Sequence, residues 1–154
     1  MLGMQIYNRK QLLATRGVPA CGKSTWAKAW VAGGERRVRV NRDDVRKMAF
    51  DSYFGKQVDE TAVSHMMSAM IETLLSQQYS VIVDNTHINV NRDLRPLANL
   101  AKKYEARFSV VQIDVPLEVA LERNAARDRV VPENVIRDMY RRLVANPIPE
   151  EWRF

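Results

Sequence analysis

At 154 residues, 46% apolar and 27% charged, the chain has the length and composition of one globular domain with an ordinary core. It holds no apolar run of the roughly 20 residues that a membrane-spanning helix needs, and the first ten residues lack the apolar stretch of a secretory signal. Membrane-embedded and secreted classes are therefore set aside, a cytoplasmic location is expected, and one cysteine excludes an internal disulfide. The net charge of +6 fits a polyanionic partner and a solvated basic surface equally well, with Arg36, Arg37, Arg39, Arg42 and Arg46 as its densest cluster.

Residues 1–10 read as an N-terminal extension to a single domain over 1–154. Gln11–Arg16 reads as a buried strand. Gly17-Val-Pro-Ala-Cys-Gly-Lys-Ser-Thr25 then fits G-x-x-x-x-G-K-[ST], the phosphate-binding P-loop, ahead of a helix beginning near Thr25. Gly33-Gly34 breaks that helix, and Arg36–Val40 alternates as a second strand. Asp43 or Asp44, the latter better placed, would cap a short helix to about Phe50. Residues 51–60 read as a loop, and Thr61–Gln78 as a helix whose methionines are core fillers.

Ser80–Asp84 is the clearest buried strand. Asn91 would cap a helix running through Lys103. Phe108–Asp114 is a further strand, and helices follow over about 117–127 and 133–145, the last stopped by Pro147 and Pro149. The Pro-rich tail, about 146–154, is either a linker stub or a docked terminus. Strands alternating with helices predict an α/β fold: a three-layer P-loop NTPase fold, with a mainly parallel central sheet flanked by helices and an arginine-bearing lid helix.

Within the P-loop, Gly17 and Gly22 permit close backbone approach, and the N–H groups of Ala20, Cys21, Gly22 and Thr25 are candidates to cradle phosphate. Lys23 would reach the outer phosphates of ATP, and the Ser24 hydroxyl would join a Mg²⁺ shell. Asp84 is a candidate Mg²⁺ ligand through water, and Asn85 and Thr86 would orient substrate or serve as helix-entry turn residues. Asp43 could take a proton from an attacking hydroxyl while Arg46, three residues on, grips a phosphate; a purely structural cap is the competing reading. Arg123 and Arg127 share a helix face and suit a lid over the donor phosphates, or else a surface helix paired with Glu118, Glu122 and Asp128. His87 reads as a turn residue and His65 as helix surface. Cys21, the sole thiol, would react with alkylating reagents unless ATP protected it.

Gly22-Lys-Ser-Thr-Trp-Ala, Asn41-Arg-Asp-Asp-Val-Arg, Asp84-Asn-Thr, Asp114-Val-Pro and Arg123-Asn-Ala-Ala-Arg127 together resemble the kinase domain of the polynucleotide 5′-hydroxyl kinases, especially the phage enzymes. The resemblance spans about residues 12–143. It implies that Asp43 is the general base on the 5′-OH of an RNA or DNA end, and that Arg46 binds the 3′-phosphate of the terminal nucleotide. Lys23 and Ser24 would hold the ATP phosphates and Mg²⁺, with Arg127 as the lid arginine. Ala20-Cys21 departs from the Gly-Ser of the phage pattern, and the acidic residue at Asp84-Asn85 is offset by one position. The Asp-x-Asp-Gly-Thr motif of the phosphatase domain often fused to such kinases does not occur, so a phosphatase or ligase activity would have to come from another domain. Two rivals remain: a kinase of a small metabolite or amino-sugar, as in the zeta-toxin group, and a nucleotide-gated nucleic-acid-binding module without catalysis.

Overall fold

The computed structural model describes residues 9–154; most of the expected extension over 1–10 lies outside them. Four strands form one parallel sheet: β1 (Gln11–Arg16), β2 (Arg37–Val40), β3 (Ser80–Val83) and β4 (Arg107–Gln112), in the order β2-β3-β1-β4. The register pairs Leu12 with Val81 and with Phe108, and Val38 with Val81. Among the described residues, α1 (Lys23–Ala32), α2 (Arg42–Phe50), α3 (Glu60–Ser76) and α4 (Arg95–Lys103) connect the strands, and α5 (Leu117–Ala125) and α6 (Glu133–Ala145) follow β4.

Successive strand residues face opposite sides of the sheet. Leu12, Ala14, Val40, Val81, Val83 and Val110 pack on one side against Val63, Met67, Ile71 and Leu75 of α3 and Leu97 and Ala101 of α4. Leu13, Ile82 and Val111 pack on the other side against Ala27 and Trp30 of α1. Met67 is buried in the core and Met66 packs against it, as the helical spacing predicts, whereas Met70 is exposed. A third cluster joins Val18 and Cys21 of the P-loop to Ala120 of α5 and Ile136 of α6, so these two helices are anchored on the loop itself.

Several local expectations are corrected. The cap of α2 is Asn41, whose side chain accepts from Asp44 N–H (2.9 Å), whereas the Asp44 carboxylate pairs with Arg39 (2.7 Å). Asn89, and not Asn91, caps the wide π-helical turn Val90–Leu94 that leads into α4; it accepts from Arg92 N–H (2.8 Å) while Asp93 reaches back to Asn89 N–H (2.9 Å). That reciprocal pair satisfies two donors that a helix start otherwise leaves open. The tail is docked: Ile148 is buried, Trp152 packs edge-on against Phe108, Phe154 packs edge-on against Trp26, and Phe154 N–H donates to Val110 O (3.2 Å).

Arg16 ends β1 fully buried, which neither its charge nor the strand pattern foretells. Its guanidinium donates to the carbonyls of His87 (3.0 Å) and Ile88 (2.8 Å), to Gln112 Oε1 (2.7 Å) and to Asn146 O. Burial lowers its pKa from the ordinary arginine value, partly offset by the fields of Asp114 and Asp93. One side chain therefore ties the β3–α4 turn, β4 and the exit of α6 to the strand that carries the P-loop.

Candidate active site

A cleft of about 1970 Å³ opens where the strands end, bordered by the P-loop, the start of α2, the β3 exit and the segment after α5. This is where parallel α/β sheets bind ligands. Gly22 takes φ 109 and begins α1 with no side-chain cap, so the first-turn N–H groups are left for an anion. Gly17 needs to be glycine for space: a Cβ there would lie 2.6 Å from Cys21 Sγ. Ala20 stands in the left-handed region at φ 65, so the departure from glycine is absorbed as backbone strain of about 1–2 kcal/mol.

Lys23 Nζ donates to Val18 O (2.7 Å) and lies 3.7 Å from Cys21 Sγ. Burial lowers its pKa, the fields of Cys21 and Asp84 oppose that shift, and nearby Arg127 adds to it. The Cys21 thiol is 2% exposed and faces the apolar cluster under the lid. The expectation that ATP would shield a reactive Cys21 therefore fails on geometry, since the thiol is already enclosed; its backbone remains part of the loop.

Asp84 and Asn85 separate cleanly. Asp84, 1% exposed, accepts from Thr15 Oγ1 (3.1 Å), Ser24 Oγ (2.8 Å) and Arg39 Nε (2.8 Å). Asn85 Oδ1 accepts from Arg42 N–H (3.0 Å) at the start of α2 and Thr86 O accepts from Gly17 N–H (3.2 Å), so these contacts fix loops. Both Asn85 and Thr86 nonetheless line the cleft. Ser24 and Asp84 offer a hydroxyl and a carboxylate to one point. That donor set fits Mg²⁺, which takes oxygen ligands and is usually held by one or two carboxylates together with substrate phosphates and water. Among the described residues no cluster of three or more acidic, His or Cys side chains forms a protein-only metal cage.

Across the cleft, Asp43 Oδ1 accepts from Arg46 Nη1 (2.7 Å), as the three-residue spacing predicts. Glu60 escaped the sequence reading, and so did the contact of Arg129, one of the arginines after the last strand, with Asp43. Glu60, at the start of α3, holds Arg46 through Nε (2.8 Å) and Nη2 (3.0 Å) and also pairs with Arg42 (2.6 Å). Burial disfavours the Arg46 charge, but the Glu60 and Asp43 contacts outweigh it and raise its pKa; reciprocally, the Arg46 hydrogen bond is the main cause holding Glu60 below the usual carboxylate value. Arg129, beyond α5, donates to Asp43 Oδ2 (2.8 Å) and stacks over the Tyr53 ring at 4.3 Å. Arg123 Nη1 reaches Cys21 O (3.4 Å), and Arg127 lines the cleft beside Lys23. Among the described residues Arg123 and Arg127 make no ion pair, so the surface-helix reading with Glu118, Glu122 and Asp128 does not hold; nor do they share a helix face, because α5 ends at Ala125 and Arg127 lies beyond it.

The dense arginine cluster is not an open anion patch. Arg36 bonds Gln77 O and stacks on Tyr79, Arg37 bonds Trp30 O (2.8 Å), Arg39 pairs with Asp84, and Arg42 and Arg46 pair with Glu60. His87 does sit in a turn, at φ 47, yet it is buried with Nδ1 2.7 Å from Thr15 O; burial lowers its pKa. A carbonyl can only accept, so Nδ1 carries the proton.

Residues 12–145 match the family described as AAA domain (AAA_33). The chain is 30% identical over 135 residues to L-seryl-tRNA(Sec) kinase of Methanococcus maripaludis, covering 84% of this chain and 51% of that protein. It is 27% identical to a putative bifunctional polynucleotide kinase/RNA ligase of Autographa californica nuclear polyhedrosis virus, covering 92% of this chain and 22% of that one. The chain thus spans about half or less of the curated relatives it matches. Among solved structures, a chain of the Pnkp1/Rnl/Hen1 RNA repair complex superposes with a TM-score of 0.79 at 28% identity, over 95% of this chain and 50% of that chain. A Deinococcus radiodurans tunicamycin resistance protein, TM-score 0.64 at 17% identity, shares the fold alone. With the P-loop, the parallel sheet and the lid in place, the chain belongs to the AAA_33 family of AAA domains and has the fold of a P-loop kinase.

Proposed function

We propose that this domain transfers the γ-phosphoryl group of ATP to the 5′-hydroxyl of an RNA or DNA end. The observation that carries the reading is the Asp43–Arg46 pair, clamped by Glu60 and facing the P-loop across one cleft. A carboxylate beside a guanidinium suits an acceptor that presents a hydroxyl and a phosphate together. The Pnkp1 and viral polynucleotide kinase likenesses support the same acceptor class.

In this reading the loop N–H groups and Lys23 hold the donor phosphates; Ser24, and Asp84 through water, would hold Mg²⁺, which would supply charge neutralisation. Asp43 orients the 5′-hydroxyl and takes its proton as the new O–P bond forms and the bond to the ADP oxygen breaks; the proton then passes to solvent. Arg46 meets the 3′-phosphate through its Nη1 end, which here holds Asp43, because Glu60 occupies the Nε and Nη2 donors. Arg127 offsets charge on the migrating group, and this electrostatic contribution dominates the barrier reduction. Asn85 and Thr86 serve the loop geometry, with Thr86 at the substrate wall.

The M. maripaludis likeness motivates a second reading, in which the hydroxyl belongs to a tRNA-linked serine. One assay separates them: γ-labelled ATP with 5′-OH RNA, 5′-OH DNA, a nucleoside 3′-phosphate, seryl-tRNA and small alcohols. Label at the 5′ end of the oligonucleotides is expected. Label on seryl-tRNA or a small alcohol, with none on oligonucleotides, overturns the proposal.

A further inference from the structure

Tyr53 and Arg129 have no task in the transfer mechanism, yet they stand beside its acceptor carboxylate. Arg129 Nη2 lies 2.8 Å from Asp43 Oδ2, and its Cζ lies 4.3 Å above the centre of the Tyr53 ring. The ring also faces Lys47 at 5.9 Å. Its loop is held by its own contacts and by Val58, which joins the core: Lys47 pairs with Asp51 (2.5 Å), Ser52 Oγ donates to Phe54 O (2.7 Å), and Gln57 Nε2 donates to Ser52 Oγ (2.9 Å). The contact is flanked by exposed apolar side chains, Phe54 at 72% on one side and Val130 at 56% on the other, while Tyr53 itself is 38% exposed and lines the cleft. Two segments far apart in sequence thus bring a flat ring and a flat guanidinium face to face at the mouth of the acceptor site.

The guanidinium occupies the face on which a planar group would stack. At 4.3 Å there is no room for a base between guanidinium and ring, so a base would have to displace Arg129. A hydroxyl held at Asp43 and the base of the same nucleoside are joined through one ribose, and here one guanidinium bridges this carboxylate and the phenol ring. Stacking on an aromatic face is indifferent to base identity, which suits a protein acting on ends of any sequence.

We propose that Tyr53 is the stacking platform for the nucleobase of the acceptor's terminal nucleoside, and that Arg129 covers it until that base arrives. When the base takes the ring, Arg129 leaves both Tyr53 and Asp43 Oδ2. Acceptor binding itself then uncovers the carboxylate oxygen that receives the hydroxyl proton. This inference rests on the polynucleotide reading above and extends it from the hydroxyl and phosphate of the acceptor to its base.

The test compares two 5′-OH oligonucleotides, identical except that one lacks the base on its 5′-terminal nucleoside. Tyr53→Leu should raise KM for the base-bearing acceptor by roughly fivefold to a hundredfold, the range of one base–aromatic stack. It should leave KM for the abasic acceptor and for ATP near the wild-type values, and Tyr53→Phe, which keeps the ring, should retain most of the affinity. Equilibrium binding reads the same contact without catalysis: a 5′-terminal 2-aminopurine should be quenched on the wild-type protein and not on Tyr53→Leu. An unchanged KM in Tyr53→Leu, or an equal rise for both acceptors, overturns the inference alone and leaves the ring as a clasp for the lid. Wild-type protein that labels neither oligonucleotide overturns the polynucleotide reading, and the inference with it.

Discussion

The proposed donor and acceptor halves of the cleft are built in different ways. The donor half is one contiguous stretch, residues 17–25, joined by Asp84; its anion-binding groups are largely backbone N–H, so its shape follows from Gly22 φ and the start of α1. The acceptor half is assembled from α2, α3, the 51–59 loop and the segment after α5, and is held by guanidinium–carboxylate pairs between Asp43, Arg46, Glu60 and Arg129. Holding phosphate is a local property of the chain. Choosing an acceptor is a property of side chains that meet only after folding.

The comparison breaks most sharply at Asp43. Asp43→Asn should lower kcat for oligonucleotide phosphorylation by about 10²–10⁴-fold, the usual worth of general base catalysis, while ATP affinity by equilibrium binding is kept. Retained turnover would remove this carboxylate from the chemistry. Next in size is Arg16, which belongs to neither half but carries the strand that feeds the loop. Arg16→Leu leaves the carbonyls of His87, Ile88 and Asn146 without their donor, and should cost about 3 kcal/mol in urea unfolding. A loss below about 1 kcal/mol would mean that water replaces the guanidinium.

Glu60→Gln sharpens the contrast between the halves. The Glu60 side chain is half exposed, so the charge on Arg46 is screened, and acceptor KM should rise only about two- to fivefold with ATP KM unchanged. An equal rise in both would mark Glu60 as a general stabiliser. The smallest effect concerns His87 and pH. Burial holds the imidazole pKa below its ordinary value of about 6.5, so the unfolded chain takes up a proton that the folded chain refuses. Stability is full above that pH and falls as pH drops toward the folded value. His87→Asn, which tolerates φ 47, should flatten the decline in unfolding free energy on acidification; an unchanged slope would assign it to other groups.

Strand and helix placement was legible because period-two and helical spacing report the two faces of the sheet directly: Leu12 and Leu13 point opposite ways, and Val63, Met67, Ile71 and Leu75 line one side of α3. The P-loop and the Asp43–Arg46 pair were legible because each is local. The cap of α2 was not, since Asn41 and Asp44 are both good caps and Arg39, a tertiary neighbour, claims the latter. Arg16 was hidden because nothing local distinguishes an arginine at a strand end from a solvated one. Its guanidinium meets acceptors contributed by the β3–α4 turn, by Gln112 of β4 and by the exit of α6. Glu60 and Arg129 were hidden for the same reason, although Glu60 directly after Asp59, the N-cap of α3, placed an acid in the first turn of that helix. The basic cluster misled because its arginines are consumed by Glu60, Asp84 and backbone carbonyls.

The central claim is that Asp43 and Arg46 form the site for a phosphate-bearing 5′-alcohol. It is tested most directly by kcat/KM for a nucleoside 3′-monophosphate against the free nucleoside, in the wild-type protein and in Arg46→Ala. The account expects the wild type to favour the 3′-phosphate strongly, and the variant to lose that preference while keeping its ATP affinity. Equal use of the two acceptors by the wild type, or an unchanged preference in Arg46→Ala, would contradict it.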